Sequence, residues 1–130
     1  MPGDRMMIEV RDLIGKPYAP HGRGPDSFDC YGLGIEACRR FVSSLIDLYS
    51  RAISFLSDDE LVDDAISAIG AYRIEKPIEG AVVLLRVPAG CHIGVCLGRG
   101  DFIHATRDKG VQVETLSSWR KRTEGFYLWP

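Results

Sequence analysis

The chain carries no CxxC pair, no His-x-x-x-His cluster and only three histidines in 130 residues, so no zinc-ligand spacing is present. No apolar run approaches membrane-spanning length. The opening Met1-Pro2-Gly3-Asp4-Arg5 lacks the apolar core of a secretory leader. The expectation is therefore synthesis in a cytoplasm, without membrane insertion, and another route outward if the protein acts outside. Charge of one sign is also missing: 16 Lys and Arg stand against 18 Asp and Glu, net −2, which argues against nucleic acid as a partner. Repeats, linkers and low-complexity tracts are absent as well. At 45% hydrophobic and 26% charged residues, the composition is that of one globular domain with a real core, spanning 1–130. A core of that size needs no disulfide staples, so the four cysteines (Cys30, Cys38, Cys91, Cys96) read as thiols.

Apolar residues at Met6, Met7, Val10, Leu13 and Ile14 have helical spacing, ended by Gly15-Lys16-Pro17. Residues 17 to 27 hold three prolines and two glycines and read as an ordered loop. A second helix starts near Cys30, capped by Asp29 or Ser27. Leu33, Ala37, Phe41 and Leu45 form its buried stripe, with Glu36, Arg39 and Arg40 toward water. Ser57-Asp58-Asp59-Glu60 has the capping-box pattern and opens a helix to about Ile69. Beyond Pro77 the pattern changes to strands: Ala81–Val87, Cys91–Leu97, Phe102–Thr106, Val111–Glu114 and Phe126–Trp129. Helices first and strands second predict an α+β fold, helices packed on an antiparallel sheet of about five strands.

The chemistry concentrates in Phe28-Asp29-Cys30-Tyr31-Gly32-Leu33, Cys91-His92-Ile93-Gly94-Val95 and Phe102-Ile103-His104-Ala105. A thiol at a helix N-terminus beside an imidazole is the usual arrangement for stabilising a thiolate nucleophile. Alternation puts His92, Gly94 and Cys96 on one strand face. His104 joins that face only if the hairpin loop keeps odd parity. A three-residue Gly98-Arg99-Gly100 loop does so, setting Gly94 opposite His104 with His92 on the diagonal, about 7–8 Å away. A two-residue loop would send the histidines to opposite faces.

On this geometry Cys30 attacks a carbonyl carbon, His92 takes the thiol proton, and His104 fixes the tautomer of His92. The backbone N–H of Cys30 and the Tyr18 hydroxyl are candidate oxyanion donors. Plainer readings compete. A half-buried cysteine or a single strand histidine is more often structural, and Cys38 and Cys91 read as core. Cys96 shares the histidine face, so a Cys30/Cys96/His92/His104 metal site is a rival reading, against which the ligand spacing counts. Arg120, Lys121 and Arg122 read as a solvated charge run.

These motifs resemble the NlpC family of cell-wall cysteine peptidases, which have a papain-like fold. The family's Gly-x-Pro-Tyr segment, glycine-containing loop and Phe-Asp-Cys-Ser-Gly-Leu are matched by Gly15-Lys16-Pro17-Tyr18, by Gly22, Gly24 and Pro25, and by Phe28 to Leu33. Its His-Val-Gly-Ile-Tyr-Leu-Gly and Phe-Ile-His-Ala are matched by His92 to Gly98 and Phe102 to Ala105. The resemblance implies that Cys30, His92 and His104 are a catalytic triad, that Tyr18, Asp29 and Tyr31 line the substrate site, and that no metal or other cofactor takes part. Tyr31 stands where most members have serine, and Ala81 where most have aspartate.

The activity implied is hydrolysis of the γ-D-glutamyl–meso-diaminopimelate bond in peptidoglycan stem peptides. The Pro25-Asp26-Ser27-Phe28-Asp29-Cys30 stretch and Ser118-Trp119-Arg120…Gly125-Phe126-Tyr127 look most like the phage-tail and gene-transfer-agent branch. That branch implies a virion-carried enzyme acting in the cell wall or periplasm, with tail-tip proteins as partners. A secreted amidase effector and a catalytically silent tail-tip structural protein are the alternatives.

Overall fold

The computed structural model describes residues 9–41, 72–88 and 90–128. The helix predicted over Ser57–Ile69 lies outside them, as do Leu45 and the first four residues of the first predicted helix. What is described of the latter is its end, two helical residues followed by a 3-10 turn at Arg11–Leu13 that buries Val10 and Leu13. Among the described residues there is one α-helix, α1 (Cys30–Phe41). Of the predicted layer of N-terminal helices, this helix is the part described on the sheet, and the rest lies outside the described residues. Six strands follow: β1 (Tyr72–Ile74), β2 (Val82–Val87), β3 (Gly90–Gly98), β4 (Asp101–Thr106), β5 (Gly110–Thr115) and β6 (Thr123–Leu128).

The sheet is antiparallel throughout, in the order β1-β6-β2-β3-β4-β5. Its sixth strand, β1, was not expected from the sequence. Tyr72-Arg73-Ile74 is mostly exposed and too short to carry a periodic signal, and it exists because β6 offers it an edge. Arg73 crosses that edge and donates from Nη2 to the carbonyl oxygen of Glu124 at 2.7 Å. It lies over Gly125, where an added Cβ would come within 3.1 Å of the guanidinium.

The sheet has two apolar faces, which is why β2 and β3 read as near-continuous hydrophobic runs. One face (Val82, Leu84, Ile93, Val95, Leu97, Ile103, Ala105) packs with Leu33, Ala37 and Cys38 of α1. The other (Ala81, Val83, Leu85, Cys96, Phe102) packs with Trp119 from a 3-10 turn at Ser117–Arg122. Leu33 and Ala37 of the expected helix stripe are fully buried, as is Cys38, read as core, while the Phe41 side chain lies outside the described residues. Arg39 is exposed, but Glu36 and Arg40 are half-buried. Arg40 donates to Glu36 at 2.9 Å, to Asp12 at 2.5 Å and to the carbonyl of Glu9 at 2.8 Å, tying the end of α1 to the N-terminal turn.

Candidate active site

The site begins with the loop that the prolines and glycines predicted. Residues 17–28 fold back on themselves: Phe28 N donates to Pro17 O, Ala19 N to Phe28 O, and Asp29 N to Gly22 O, all within 3.2 Å. Gly32, on the first turn of α1, lies so close to this loop that a Cβ there would collide with the carbonyl oxygen of Gly22. Backbone pairs between Gly15 or Lys16 and Val111, at 2.8 and 2.9 Å, fasten the same segment to the start of β5. The loop is therefore held from both sides.

Of the two candidate caps, Asp29 is the one used. Its Oδ1 accepts from the Gly32 N–H at 2.6 Å, satisfying a donor that the helix leaves open. Its Oδ2 accepts from Arg23 at 2.7 Å. The carboxylate is 6% exposed and occupied by these two bonds. It shapes the site by setting where α1 starts. Cys30 follows as the first helical residue, 8% exposed, at the positive end of the helix dipole. Tyr31 is 6% exposed and packs in the helix-side core, where its bulk is absorbed.

Tyr18 lies near enough to Cys30 to feel its charge. Burial, with the Cys30 charge added, pushes the Tyr18 phenol up, while Arg107 pulls the other way. The Arg107 guanidinium sits over the Tyr18 ring, 5.7 Å from its centroid. The phenol therefore keeps its proton at neutral pH and remains a hydrogen-bond donor.

On the sheet, the parity expected of the β3–β4 hairpin is met by a different route. The turn has two residues, with Arg99 (φ 58°) and Gly100 (φ 82°) both left-handed, and Gly98 pairs with Asp101. Taken alone that turn would separate the histidines. A register shift between Cys96 and Gly98 inserts one residue and restores the pairing Cys96↔Phe102 and Val95↔Ile103. One step further places Gly94 opposite His104. A Cβ on Gly94 would come within 2.7 Å of the Phe102 ring, so the glycine leaves room for the aromatic side chains on this face.

His92 and His104 do meet. His92 Nε2 and His104 Nδ1 are 2.8 Å apart, with the rings edge to face. His92 is 7% exposed and His104 fully buried. Trp119 closes over them, stacked on His92 at 6.2 Å and edge-on to His104 at 5.1 Å. Burial, reinforced by His104, pushes His92 down to about 3, so the ring is neutral at rest. Burial also lowers His104, against the pull of Glu114 and with a smaller push from Lys109.

The unpredicted member is Glu114. Its Oε2 lies 2.5 Å from His104 Nε2. Burial works to raise Glu114, but hydrogen bonds from His104 and Trp119 hold it below the usual carboxylate range. The register Phe102↔Glu114 and His104↔Gln112 puts Glu114 diagonal to His104 on the same face. The alternation Val111-Gln112-Val113-Glu114 held that signal, but only with the β4–β5 turn length known.

Two further thiols, those of Cys38 and Cys96, are held protonated by burial. Cys38 and Cys96 are buried, and desolvation pushes each up to about 12. The side chain of Cys91 lies outside the described residues. Cys96 stands in the Trp119-side core, and no group of three or more His, Cys, Asp or Glu among the described residues is arranged to hold a metal ion.

A cysteine at a helix N-terminus, packed on an antiparallel sheet that carries hydrogen-bonded imidazoles, is the architecture of a papain-like thiol hydrolase. The model of the NlpC/P60 family matches residues 15–127, and the chain belongs to that family of cysteine peptidases. It is similar to the probable endopeptidase p60 of Listeria grayi, 26% identical over 124 residues, 93% of this chain but 22% of that protein. The chain thus spans about a fifth of the curated relative's length. Among solved structures, the NlpC/p60 domain of the peptidoglycan hydrolase SagA superposes with a TM-score of 0.65 at 20% identity, covering all of both chains. NlpC2 from Trichomonas vaginalis gives 0.65 at 22% identity over 98% of this chain and 48% of its own. At these identities the structures show the shared fold.

Proposed function

We propose that the protein is a peptidoglycan endopeptidase with Cys30 as nucleophile, His92 as base and His104 as orienting residue. The observation that supports this best is the bond between His92 Nε2 and His104 Nδ1, which commits one nitrogen of His92 and leaves Nδ1 for the thiol. In this reading Cys30 Sγ adds to the peptide carbonyl carbon while its proton passes to His92 Nδ1. The oxyanion is met by the Cys30 N–H and the Tyr18 hydroxyl. His92 then gives the proton to the leaving amine as the C–N bond breaks, and a thioester remains. Water, deprotonated by His92, attacks the thioester, and the returned proton regenerates the thiol.

A His92 pushed down to about 3 is a weak base at rest. It takes the proton as negative charge develops beside it, which ties proton transfer to attack. The bond we assign is γ-D-glutamyl–meso-diaminopimelate. We assign Tyr18, half-buried, to the substrate wall, whereas Asp29 acts through the helix start and Tyr31 is buried in the serine position of the motif. The likeness of Pro25–Cys30 and Ser118–Tyr127 to the tail-associated branch supports a virion-borne peptidase acting in the wall, with tail-tip proteins as neighbours. The buried imidazole pair with its carboxylate favours an enzyme over a silent structural relative.

Defined muropeptides incubated with wild type and Cys30→Ala, then read by mass spectrometry, test the reading. A diaminopimelate-containing fragment released only by wild type is expected. Equal release by both proteins, or none by either with the fold intact, refutes it.

A further inference from the structure

We propose that Glu114 is a positioning residue of this site, setting through His104 which nitrogen of His92 carries the proton. The proposal rests on the reading of Cys30 and His92 as nucleophile and base, and it adds a member that the sequence motifs do not contain.

The argument is one of donors and acceptors. An ionised carboxylate only accepts, so at 2.5 Å from Glu114 Oε2 the His104 Nε2 must donate. A neutral imidazole has a single N–H, so His104 Nδ1 is then an acceptor. His104 is fully buried, and its Nδ1 is met by His92 Nε2 at 2.8 Å, which must therefore donate. The lone pair of His92 is left on Nδ1, the nitrogen required to receive a thiol proton. Every step follows from the carboxylate end.

Without Glu114 the chain can run backwards. His104 can hold its proton on Nδ1 and donate to His92 Nε2, which places the His92 proton on Nδ1 and blocks it as a base. Glu114 also supplies a negative charge to the imidazolium that forms during attack. Its surroundings favour the ionised state: the Trp119 indole N–H donates to it, and Lys109 on the β4–β5 turn adds a positive charge. The other groups facing the pair are His92 from β3 and Phe102 on β4, and the Arg122 guanidinium lies over the Trp119 ring, 4.0 Å from its centroid.

Imidazole ¹⁵N chemical shifts at neutral pH read the tautomers directly, in wild type, Glu114→Gln and Glu114→Leu. Wild type is expected to show both rings protonated on Nε2. Glu114→Gln keeps an oxygen that accepts from His104 and should keep both tautomers, losing only about three- to tenfold in Cys30 alkylation by iodoacetamide as the charge disappears. Glu114→Leu should shift His92 toward the Nδ1-protonated form and slow alkylation and turnover on the order of 10²-fold or more. The conservative variant thus rescues the tautomer, which a purely structural residue would not do. A His92 proton on Nδ1 in wild type, or a Glu114→Leu protein with wild-type tautomers and alkylation rate, overturns the proposal. If Glu114→Leu does not fold, the wild-type tautomers and the Glu114→Gln alkylation rate still decide. The tautomer and alkylation readouts use no substrate. Absence of muropeptide cleavage with the predicted tautomers therefore refutes the substrate reading and leaves the relay standing.

Discussion

Replacing His92 with glutamine should flatten the pH dependence of stability. Burial holds the folded His92 at about 3, against an ordinary value of 6.5. Between those values the unfolded chain takes up a proton that the folded protein refuses. Stability therefore rises with pH across this window and is lost as pH falls from about 6.5 toward 3. For a single group with these two values, lowering the pH from about 7 to about 5 costs about 2 kcal/mol. His104 is also lowered by burial and adds in the same direction. Stopping near pH 5 keeps the measurement above the range in which the lowered carboxylates of Asp12, Glu36 and Glu114 titrate. The assay is urea unfolding at constant ionic strength, on wild type and His92→Gln at each pH. The gap between the two unfolding free energies should change by about 2 kcal/mol over the window, because contributions from groups not in contact with His92 cancel. Parallel pH curves for the two proteins would refute the claim that His92 is buried neutral.

Asp29→Ala removes the helix cap, and a loss of about 1–2 kcal/mol in urea unfolding is expected, with Asp29→Asn recovering much of it. Gly32→Ala drives a methyl group against the backbone oxygen of Gly22 and should cost about 1–3 kcal/mol or prevent folding, read as the midpoint of a thermal melt. In a time course of iodoacetamide labelling near pH 6 followed by peptide mapping, Cys30 should be modified well before Cys38 and Cys96, whose thiols burial pushes up to about 12. Early modification of either buried thiol would show the sheet core to be open.

Much of the site was legible in the chain because its signals are local. A cap, a cysteine and a small residue stand together at Asp29-Cys30-Tyr31-Gly32, which places the helix start near Cys30, while the choice of Asp29 over Ser27 as cap came from the structure. The strands carrying His92 and His104 show as apolar runs bounded by glycine, and alternation assigns their faces. The hairpin was right in parity and wrong in construction, since a two-residue turn plus a register shift has the same effect as a three-residue loop. Local sequence does not separate those two solutions, because both place glycines at 98 and 100.

By itself, the sequence singled out Cys30, His92 and His104 as the candidate residues, placed the start of the helix bearing the thiol near Cys30, and put the histidines on adjacent strands. Those outcomes depend on short-range capping, turn and alternation rules. Only the tertiary structure decided that β1 adds to the sheet, that Trp119 closes over the imidazoles, and that Glu114 ends their hydrogen-bond chain. Each of these is a contact between segments whose register is set by pairing and packing across the sheet. Desolvation, which keeps His92 neutral, likewise exists only once both apolar faces are covered.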